Sequence, residues 1–188
     1  MKDKNNSKLK LTTLAMAQIA VCTALLCVLS PLSIPTAFNI AFTLQVFAVI
    51  LIALILKPLQ ALAAQVVYTV IGLIGLPVFA GYQSGLGVIA GPTGGFIIGF
   101  IIAAFFVSLL KGKGEGRLTL VRYILAAVLV GIPCIYLPGI IGFMNFSGYD
   151  FAAAFKLVAA AFIPVDLIKC AAASLIALPV NAALKKIG

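Results

Sequence analysis

The stretch LPVFAGYQSGLGVIAGPTGGFIIG, residues 76–99, decides how this chain folds. Two apolar segments meet across it, and it contains no charged residue. Its glycines recur four residues apart, at 81 and 85 and then at 87, 91, 95 and 99. Helical glycines at this spacing form a smooth face against which another helix or a ligand lies closely. Packing of two helices explains any one such pair, whereas six glycines beside polar side chains favour a lined pocket.

Polar side chains in the same stretch are the first candidates for that pocket. Tyr82, Gln83 and Ser84 are consecutive, and they precede the GPTGG sequence at 91–95. This sequence predicts a turn followed by a helix start, with Thr93 available as the cap. The candidate ligand-binding residues of the loop are Tyr82, Gln83, Ser84, Gly85, Gly91, Thr93 and Gly94.

The composition predicts that the chain lies in a membrane. Of its 188 residues, 64% are hydrophobic and 9% are charged, and the mean hydropathy is +1.26. A water-soluble fold of this length needs more polar surface, so we predict an all-α integral membrane protein with a single membrane domain. The chain has no histidine, and its four cysteines lie apart within apolar segments. We therefore expect no metal site.

Six apolar segments predict six transmembrane helices. They cover about residues 11–30, 40–56, 59–76, 94–110, 120–137 and 164–184. The fifth span is expected to end in the YLPG sequence at 136–139. The last apolar run begins earlier, at Ala152, but Pro164 suits the first turn of a helix. The sixth span is therefore placed from residue 164, and residues 152–163 are expected to form an outer segment packed on the bundle.

The basic residues predict the orientation of these helices. With a cytoplasmic tail at 1–10, eleven of the thirteen Lys and Arg residues lie on the inner side and none lies in an outer loop. These eleven are Lys2, Lys4, Lys8, Lys10, Lys57, Lys111, Lys113, Arg117, Arg122, Lys185 and Lys186. Both termini are therefore expected in the cytoplasm. We attribute the net charge of +9 to the topology of a protein that lies in the lipid of the cell membrane, and not to binding of nucleic acid.

Asp166 and Lys169 are the ionisable residues that most need an explanation. They are three residues apart, hence on one face of the sixth span, and charges at membrane depth face a cavity or each other. One interpretation is a self-neutralising ion pair that fixes helix packing. The other is a polar site open to the outside. In that case Thr43 and Gln45, at the start of the second span, converge on the pair together with the loop residues 82–84.

The sequence offers little for catalysis. It has no P-loop, and histidine chemistry is excluded. The letters GLGVIA at 85–90 match a dinucleotide fingerprint, but no strand–turn–helix unit surrounds them. An intramembrane aspartyl hydrolase needs two apposed carboxylates, for which Asp166 and Asp150 are the candidates. We predict that the chain is not an enzyme and has no catalytic residue and no bound cofactor.

The sequences GLPVFAG and GLGVIAGPTGGFIIGF within residues 75–100, followed by PVDLIK at 164–169, resemble the BioY family. The resemblance covers essentially the whole chain, including Thr43, Gln45 and the Asp–Lys pair. It implies a biotin-specific S component of an energy-coupling factor (ECF) transporter, which captures biotin from the outside for ATP-driven uptake. The implied partners are a transmembrane coupling protein and two ATPase subunits. Whether a homo-oligomer of the chain suffices without them stays open.

The resemblance leaves the roles of individual residues open. Lys169 is expected to pair with the biotin carboxylate while Asp166 accepts a ureido N–H. The alternative is that both act on the ureido head and the loop at 81–95 holds the tail. Ala17, Ala20 and Ala24 form a row of small residues on the first span. This row serves internal helix packing or, as the resemblance implies, docking of the coupling protein.

Three other functions remain as alternatives. An S component for riboflavin or thiamine would call for aromatic stacking, and the chain has no tryptophan. A structural membrane protein would need no pocket, so its polar outer residues would bind nothing. A channel would need polar stripes through several spans, and spans three to five have almost none.

Overall fold

The structure is a computed structural model, which describes residues 12–36, 40–112, 116 and 118–186. The predicted cytoplasmic tail at 1–10 lies outside these residues. In the described part the chain forms seven helices, one 3₁₀ turn at Ala80–Tyr82 and one short hairpin. The helices are α1 (Thr13–Leu29), α2 (Gln45–Ile55), α3 (Pro58–Leu73), α4 (Leu86–Ala90), α5 (Gly94–Leu110), α6 (Thr119–Ser147) and α7 (Phe151–Leu184). The antiparallel hairpin pairs β1 (Ser33–Ile34) with β2 (Phe42–Thr43).

The predicted all-α class is confirmed, and each predicted span overlaps one of these helices. Among the described helices, α6 and α7 are long and apolar enough to cross a membrane by themselves. The others, apart from the short α4, have 11 to 17 residues. The fourth predicted span has the bounds of α5. The third span ends three residues earlier than predicted, at Leu73, before Gly75 with its φ of +111°. The bounds of the second, fifth and sixth spans also differ from the prediction, each for a physical reason.

The second span begins later than expected, because residues 42–43 pair with the segment before them instead of continuing the helix. Helix α2 therefore has only 11 residues and is about 16 Å long. Nearly all of it is buried, with the side chains of residues 48–50 and 52–54 fully inaccessible. It packs against α1, α3, α5 and α7. A short, buried helix thus forms the centre of the bundle, and both of its ends lie among other helices.

The predicted end of the fifth span at residue 137 is wrong. Helix α6 includes a π-helical turn at Ala126–Gly131 and continues through Pro138 to Ser147, where Gly148 adopts φ +74°. A proline inside a helix removes one backbone hydrogen bond. Tight packing against α5 covers this region, since a Cβ on Gly142 would lie 2.9 Å from Gly95. The glycines around the proline let the two helices approach, so the YLPG sequence marks a contact rather than an end.

The predicted start of the last span at Pro164 is also wrong. Helix α7 begins at Phe151, where the Asp150 carboxylate accepts a hydrogen bond of 2.7 Å from the backbone N–H of Ala153. Its 34 residues extend for about 51 Å, well beyond the ~30 Å core of a bilayer. The segment at 152–163 is the first part of this helix. Buried side chains before the proline, among them Val158 and Phe162, hold it against the bundle.

The six glycines do not form one helical face. Gly81, with φ +66°, lies in the 3₁₀ turn at Ala80–Tyr82, and Gly85, with φ +87°, is the N-cap of α4. Gly95 and Gly99 share α5, and both face α6: a Cβ on Gly95 would lie 2.1 Å from the carbonyl oxygen of Pro138. The helix-packing interpretation therefore applies to these two glycines. Thr93 occupies the N-cap position of α5, as expected, but its side chain makes no capping hydrogen bond.

Candidate functional site

A cavity lies where the hairpin and the first turn of α2 meet α5, α6 and α7. Its unfilled volume is about 580 Å³, including the part that opens to the surface. Its lining is mostly apolar, with a few polar side chains. The lining residues are Ile40, Ala41, Thr43, Gln45, Val46, Phe79, Ala80, Val88, Thr93, Phe96, Ile97, Phe100, Ile135, Tyr136, Phe162, Asp166 and Lys169. An apolar pocket with a small number of polar groups is typical of small-molecule sites.

The charged group of the cavity is a three-residue cluster on α6 and α7. Lys169 Nζ lies 2.7 Å from Asp166 Oδ1, and the Tyr136 hydroxyl donates to Asp166 Oδ2 over 2.8 Å. The side chain of Asp166 is 4% exposed and that of Lys169 is 13% exposed. Each carboxylate oxygen has a donor, which compensates the burial of its charge. A carboxylate still has unused acceptor sites, and the ammonium still has N–H groups to offer a ligand.

The amide of Gln45 is the second polar feature of the cavity. Gln45 is the first residue of α2, and its Nε2 lies 3.0 Å from the hydroxyl of Tyr68. The Tyr68 hydroxyl in turn donates to the carbonyl oxygen of Val78 over 3.0 Å. Thr43, just before the helix, accepts a hydrogen bond from the backbone N–H of Gln45. Both polar residues predicted at the start of the second span therefore line the cavity.

Aromatic rings form much of the apolar wall. Phe79, Phe96, Phe100 and Phe162 all line the cavity. Phe96 meets the ring of Tyr136 edge-to-face, with centroids 6.1 Å apart, and Phe162 stacks on Phe42. The sequence argument against a ring-stacking ligand relied on the absence of tryptophan. That argument is weak, because phenylalanines from three separate segments converge here.

The structure brings together five of the predicted ligand-binding residues and separates the others from them. Thr43, Gln45, Thr93, Asp166 and Lys169 line the cavity. Tyr82 and Gln83 are exposed, Ser84 and Gly85 are partly exposed, and none of the four contributes to the lining. Gly91 and Gly94 instead line a groove between α4, α5 and α6. The prediction that residues 82–84 converge on the charged pair does not match this arrangement.

Sequence reasoning missed Tyr136 and the phenylalanine wall. Tyr136 was part of a motif interpreted as a helix end, so its position thirty residues before Asp166 carried no meaning. The sequence carried one signal for Tyr136, its position just before Pro138 and Gly139. If the helix is continued past the proline, Tyr136 lies inside the fifth span and not at its end. In the described part of the chain, no group of three or more His, Cys, Asp or Glu side chains could hold a metal ion.

The row of small residues on α1 lies at the surface. Ala17, Ala20 and Ala24 are exposed, which excludes internal packing for these three side chains. Ala20 and Ala24 line an apolar groove between α1 and α3 that ends at Leu76 and Val78. Within the described residues this face of the protein is therefore covered by no other helix.

The chain is similar throughout its length to known proteins. A sequence model of the BioY family matches residues 2–186. The "Biotin transporter BioY" of Thermotoga maritima is 38% identical over 163 residues, which cover 87% of this chain and 93% of that protein. The "Probable biotin transporter BioY" of Pyrococcus horikoshii is 41% identical over 138 residues, 73% of this chain and 78% of that protein.

One solved structure has the same fold. It is a crystal structure described as the "S-component for biotin from an ECF-type ABC transporter", with a TM-score of 0.78 at 23% sequence identity. The match covers 96% of this chain and 95% of that chain. The family model spans nearly the whole sequence, and the curated relatives cover most of it at above 30% identity. The chain therefore belongs to the BioY family.

Proposed function

We propose that the chain is the biotin-binding S component of an ECF-type importer. Membership of the BioY family supports this, as do relatives that are named biotin transporters. The observation that carries the proposal is the cluster of Asp166, Lys169 and Tyr136 on one side of an aromatic cavity. Biotin has an apolar bicyclic body, a ureido head with two N–H donors and one carbonyl, and a carboxylate tail. The cavity offers an apolar wall for the body and both acceptors and donors for the polar groups.

The contact between Asp166 and Lys169 favours one of the two arrangements of biotin. The side chains are 2.7 Å apart. The two polar ends of biotin are separated by the rings and by a chain of methylene groups, so neighbouring side chains meet the same end of an extended ligand. We assign that end to the ureido head, with Asp166 accepting an N–H and Lys169 donating to the carbonyl. The tail then extends toward Thr93 and the loop before α5.

The proposed topology is a single membrane domain with six spans and both termini in the cytoplasm. Hydrogen bonds place the ends of α2, α5 and α7 together, since Lys111 and Asn181 both donate to the carbonyl oxygen of Leu54. Arg122 lies in the first turn of α6, the next helix after α5, and Lys185 and Lys186 come directly after α7. This side is assigned to the cytoplasm of a cell-membrane protein. The cavity lies at the other end of α2 and therefore faces outward.

The proposed partners are a transmembrane coupling protein and two ATPase subunits, and the exposed row at Ala17, Ala20 and Ala24 is the proposed docking face. Small residues allow a partner helix to approach closely. Replacing Ala20 and Ala24 by phenylalanine should leave biotin affinity within twofold and abolish ATP-dependent uptake in reconstituted vesicles. The matched control replaces two exposed apolar residues on another helix, Leu175 and Ile176, by phenylalanine. Loss of binding in the alanine variant would assign the row to the fold instead.

The function is tested by calorimetric titration of the purified protein in detergent with biotin, riboflavin and thiamine. The two other vitamins matter as controls because the phenylalanine wall suits any flat ring. Biotin alone should bind, with a stoichiometry of one. Lys169→Ala should weaken it strongly, whereas Lys156→Ala, an exposed lysine on the same helix, should not change it. Binding of riboflavin or thiamine in place of biotin, or of no vitamin, would overturn the proposal.

A further inference from the structure

We infer that Tyr68 is a positioning residue that fixes the orientation of the Gln45 amide, so that the amide oxygen faces the ligand. Tyr68 lies on α3, is fully buried and is absent from the cavity lining. Among the lining residues, it contacts Gln45 through a hydrogen bond and Phe79 through its ring. The inference rests on the proposed biotin-binding function. It adds that the wall of the site at Gln45 presents a hydrogen-bond acceptor to the ligand.

The direction of the hydrogen bonds follows from counting hydrogens. The Tyr68 hydroxyl has one hydrogen, and a backbone carbonyl can only accept. The hydroxyl lies 3.0 Å from the carbonyl oxygen of Val78, so its hydrogen is used there. Toward Gln45, 3.0 Å away on the other side, the hydroxyl must therefore accept. Only the amide nitrogen of Gln45 can donate to it, which settles which end of the amide points at Tyr68.

Burial holds this arrangement in place. Tyr68 is 0% exposed and Gln45 is 5% exposed, so water cannot replace either partner at low cost. The ring of Tyr68 is further fixed by an edge-to-face contact with Phe79, with centroids 5.7 Å apart. Reversing the amide would place its oxygen against a hydroxyl whose single hydrogen is already donated to the carbonyl oxygen of Val78, and that hydrogen bond would have to be given up. The other side of the planar amide carries Oε1, which is left for the cavity that Gln45 lines.

This orientation matches the hydrogen-bonding pattern of a ureido group. Asp166 supplies one acceptor and the oxygen of Gln45 supplies a second, for the two N–H groups of the ligand head. Lys169 supplies a donor for the single ureido carbonyl. With the amide reversed, a ligand N–H would face an amide N–H, and the site would favour a ligand with a second acceptor. Tyr68 thus sets a preference for a head group with two donors.

The first test is a double-mutant cycle on biotin affinity, measured by calorimetry. Tyr68→Phe should weaken biotin binding roughly fivefold to tenfold, the equivalent of about one hydrogen bond. In a Gln45→Ala background, the same change should have no further effect. The control is Tyr123→Phe, since the buried Tyr123 likewise accepts an amide N–H, from Asn181, at the far end of the bundle. The control should leave affinity within twofold.

An undiminished loss from Tyr68→Phe in the Gln45→Ala background would overturn the inference, because Tyr68 would then act through the Val78–Phe79 segment. So would an unchanged affinity in the single variant. Failure of the unsubstituted protein to bind biotin would instead refute the proposed function, and the two results are distinguishable.

A second test needs no change at Tyr68 and covers the case in which that variant does not fold. Biotin and its two mono-N-methyl derivatives, each lacking one ureido N–H, are titrated into the unsubstituted protein and Gln45→Ala. For one derivative, the loss of affinity caused by methylation should be at least threefold smaller in Gln45→Ala. Equal methylation losses in the two proteins, for both derivatives, would show that Gln45 accepts no ligand N–H.

Discussion

Both ends of helix α2 have polar groups inside an apolar bundle, but the hydrogen bonds of these groups are satisfied differently at the two ends. At the C-terminal end, Lys111 donates to the carbonyl oxygens of Ala53 and Leu54 over 3.0 and 2.8 Å, and also to that of Leu56. Ser108 and Asn181 donate to the same carbonyls. At the N-terminal end, Gln45 and the Asp166–Lys169 pair surround a cavity.

The difference lies in how many hydrogen bonds are left for a ligand. The ammonium of Lys111 has three donors and uses all three on the last carbonyls of α2. Lys169 makes one hydrogen bond within the described part of the chain, to Asp166. A buried lysine is therefore no sign of a binding site by itself. What distinguishes the two ends is that one set of polar groups is saturated by the chain and the other is not.

The largest effect is expected from neutralising the carboxylate of Asp166 in the cavity. Asp166→Asn leaves the Lys169 ammonium without its counter-charge and should destabilise the protein by about 3 kcal/mol. It should also weaken biotin more than a hundredfold. Unfolding in detergent and calorimetric titration measure the two effects. The control is Asp150→Asn, because asparagine is an equally good N-cap for α7; normal binding by Asp166→Asn would remove the acid from the site.

The next largest effect is expected at the other lysine, and on stability alone. Lys111→Met removes the donor shared by three carbonyls at the end of α2 and should lower the free energy of unfolding by about 2 kcal/mol. Biotin affinity of the folded variant should stay within twofold, since the cavity lies at the opposite end of the helix. Lys156→Met, an exposed control on α7, should change neither quantity. A tenfold loss of affinity in Lys111→Met would erase the distinction between the two ends.

The smallest effect is expected for a single hydrogen bond between uncharged groups at the C-terminal end of α2. The Ser108 hydroxyl donates to the carbonyl oxygen of Leu56 over 2.6 Å, and Lys111 donates to the same oxygen. Ser108→Ala should therefore cost only about 0.5–1 kcal/mol of unfolding free energy and leave biotin affinity unchanged. The double variant with Lys111→Met should lose more than the sum of the single losses, because Leu56 then has no side-chain donor. Simple additivity would indicate that the two donors act independently.

Local sequence patterns predicted much of the bundle but not where its long helices end. The start of α5 followed from the GPTGG turn, and the apolar runs marked the other helices except the short α4, which lies in the stretch interpreted as a loop. Pro138 and Pro164 misled the prediction, since each lies inside a helix. A proline ends a helix only when packing does not compensate for the lost hydrogen bond. Here the close approach of Gly95 to Gly142 depends on two segments far apart in sequence.

The sequence predicted those residues of the candidate site whose side chains are unusual in their local segment. Asp166 and Lys169 stand out as charges in an apolar run, and Gln45 as an amide at a span start. Tyr136 and the phenylalanines were not predictable, because ordinary apolar residues gain meaning only from the segments that meet them. Tyr82 drew attention through its glycine-rich surroundings. In the structure Tyr82 has a positive φ of 61°, and its side chain is exposed and does not line the cavity.

The most direct test of the central claim is the affinity of Lys169→Ala for biotin and for biotin amide, which lacks the carboxylate, measured by calorimetry beside the unsubstituted protein. If Lys169 and Asp166 bind the ureido head together, both ligands should lose affinity by the same factor, at least tenfold. A loss confined to biotin would move Lys169 to the carboxylate tail. Unchanged affinity for both ligands would contradict the account, because the pair would then serve helix packing as Lys111 does.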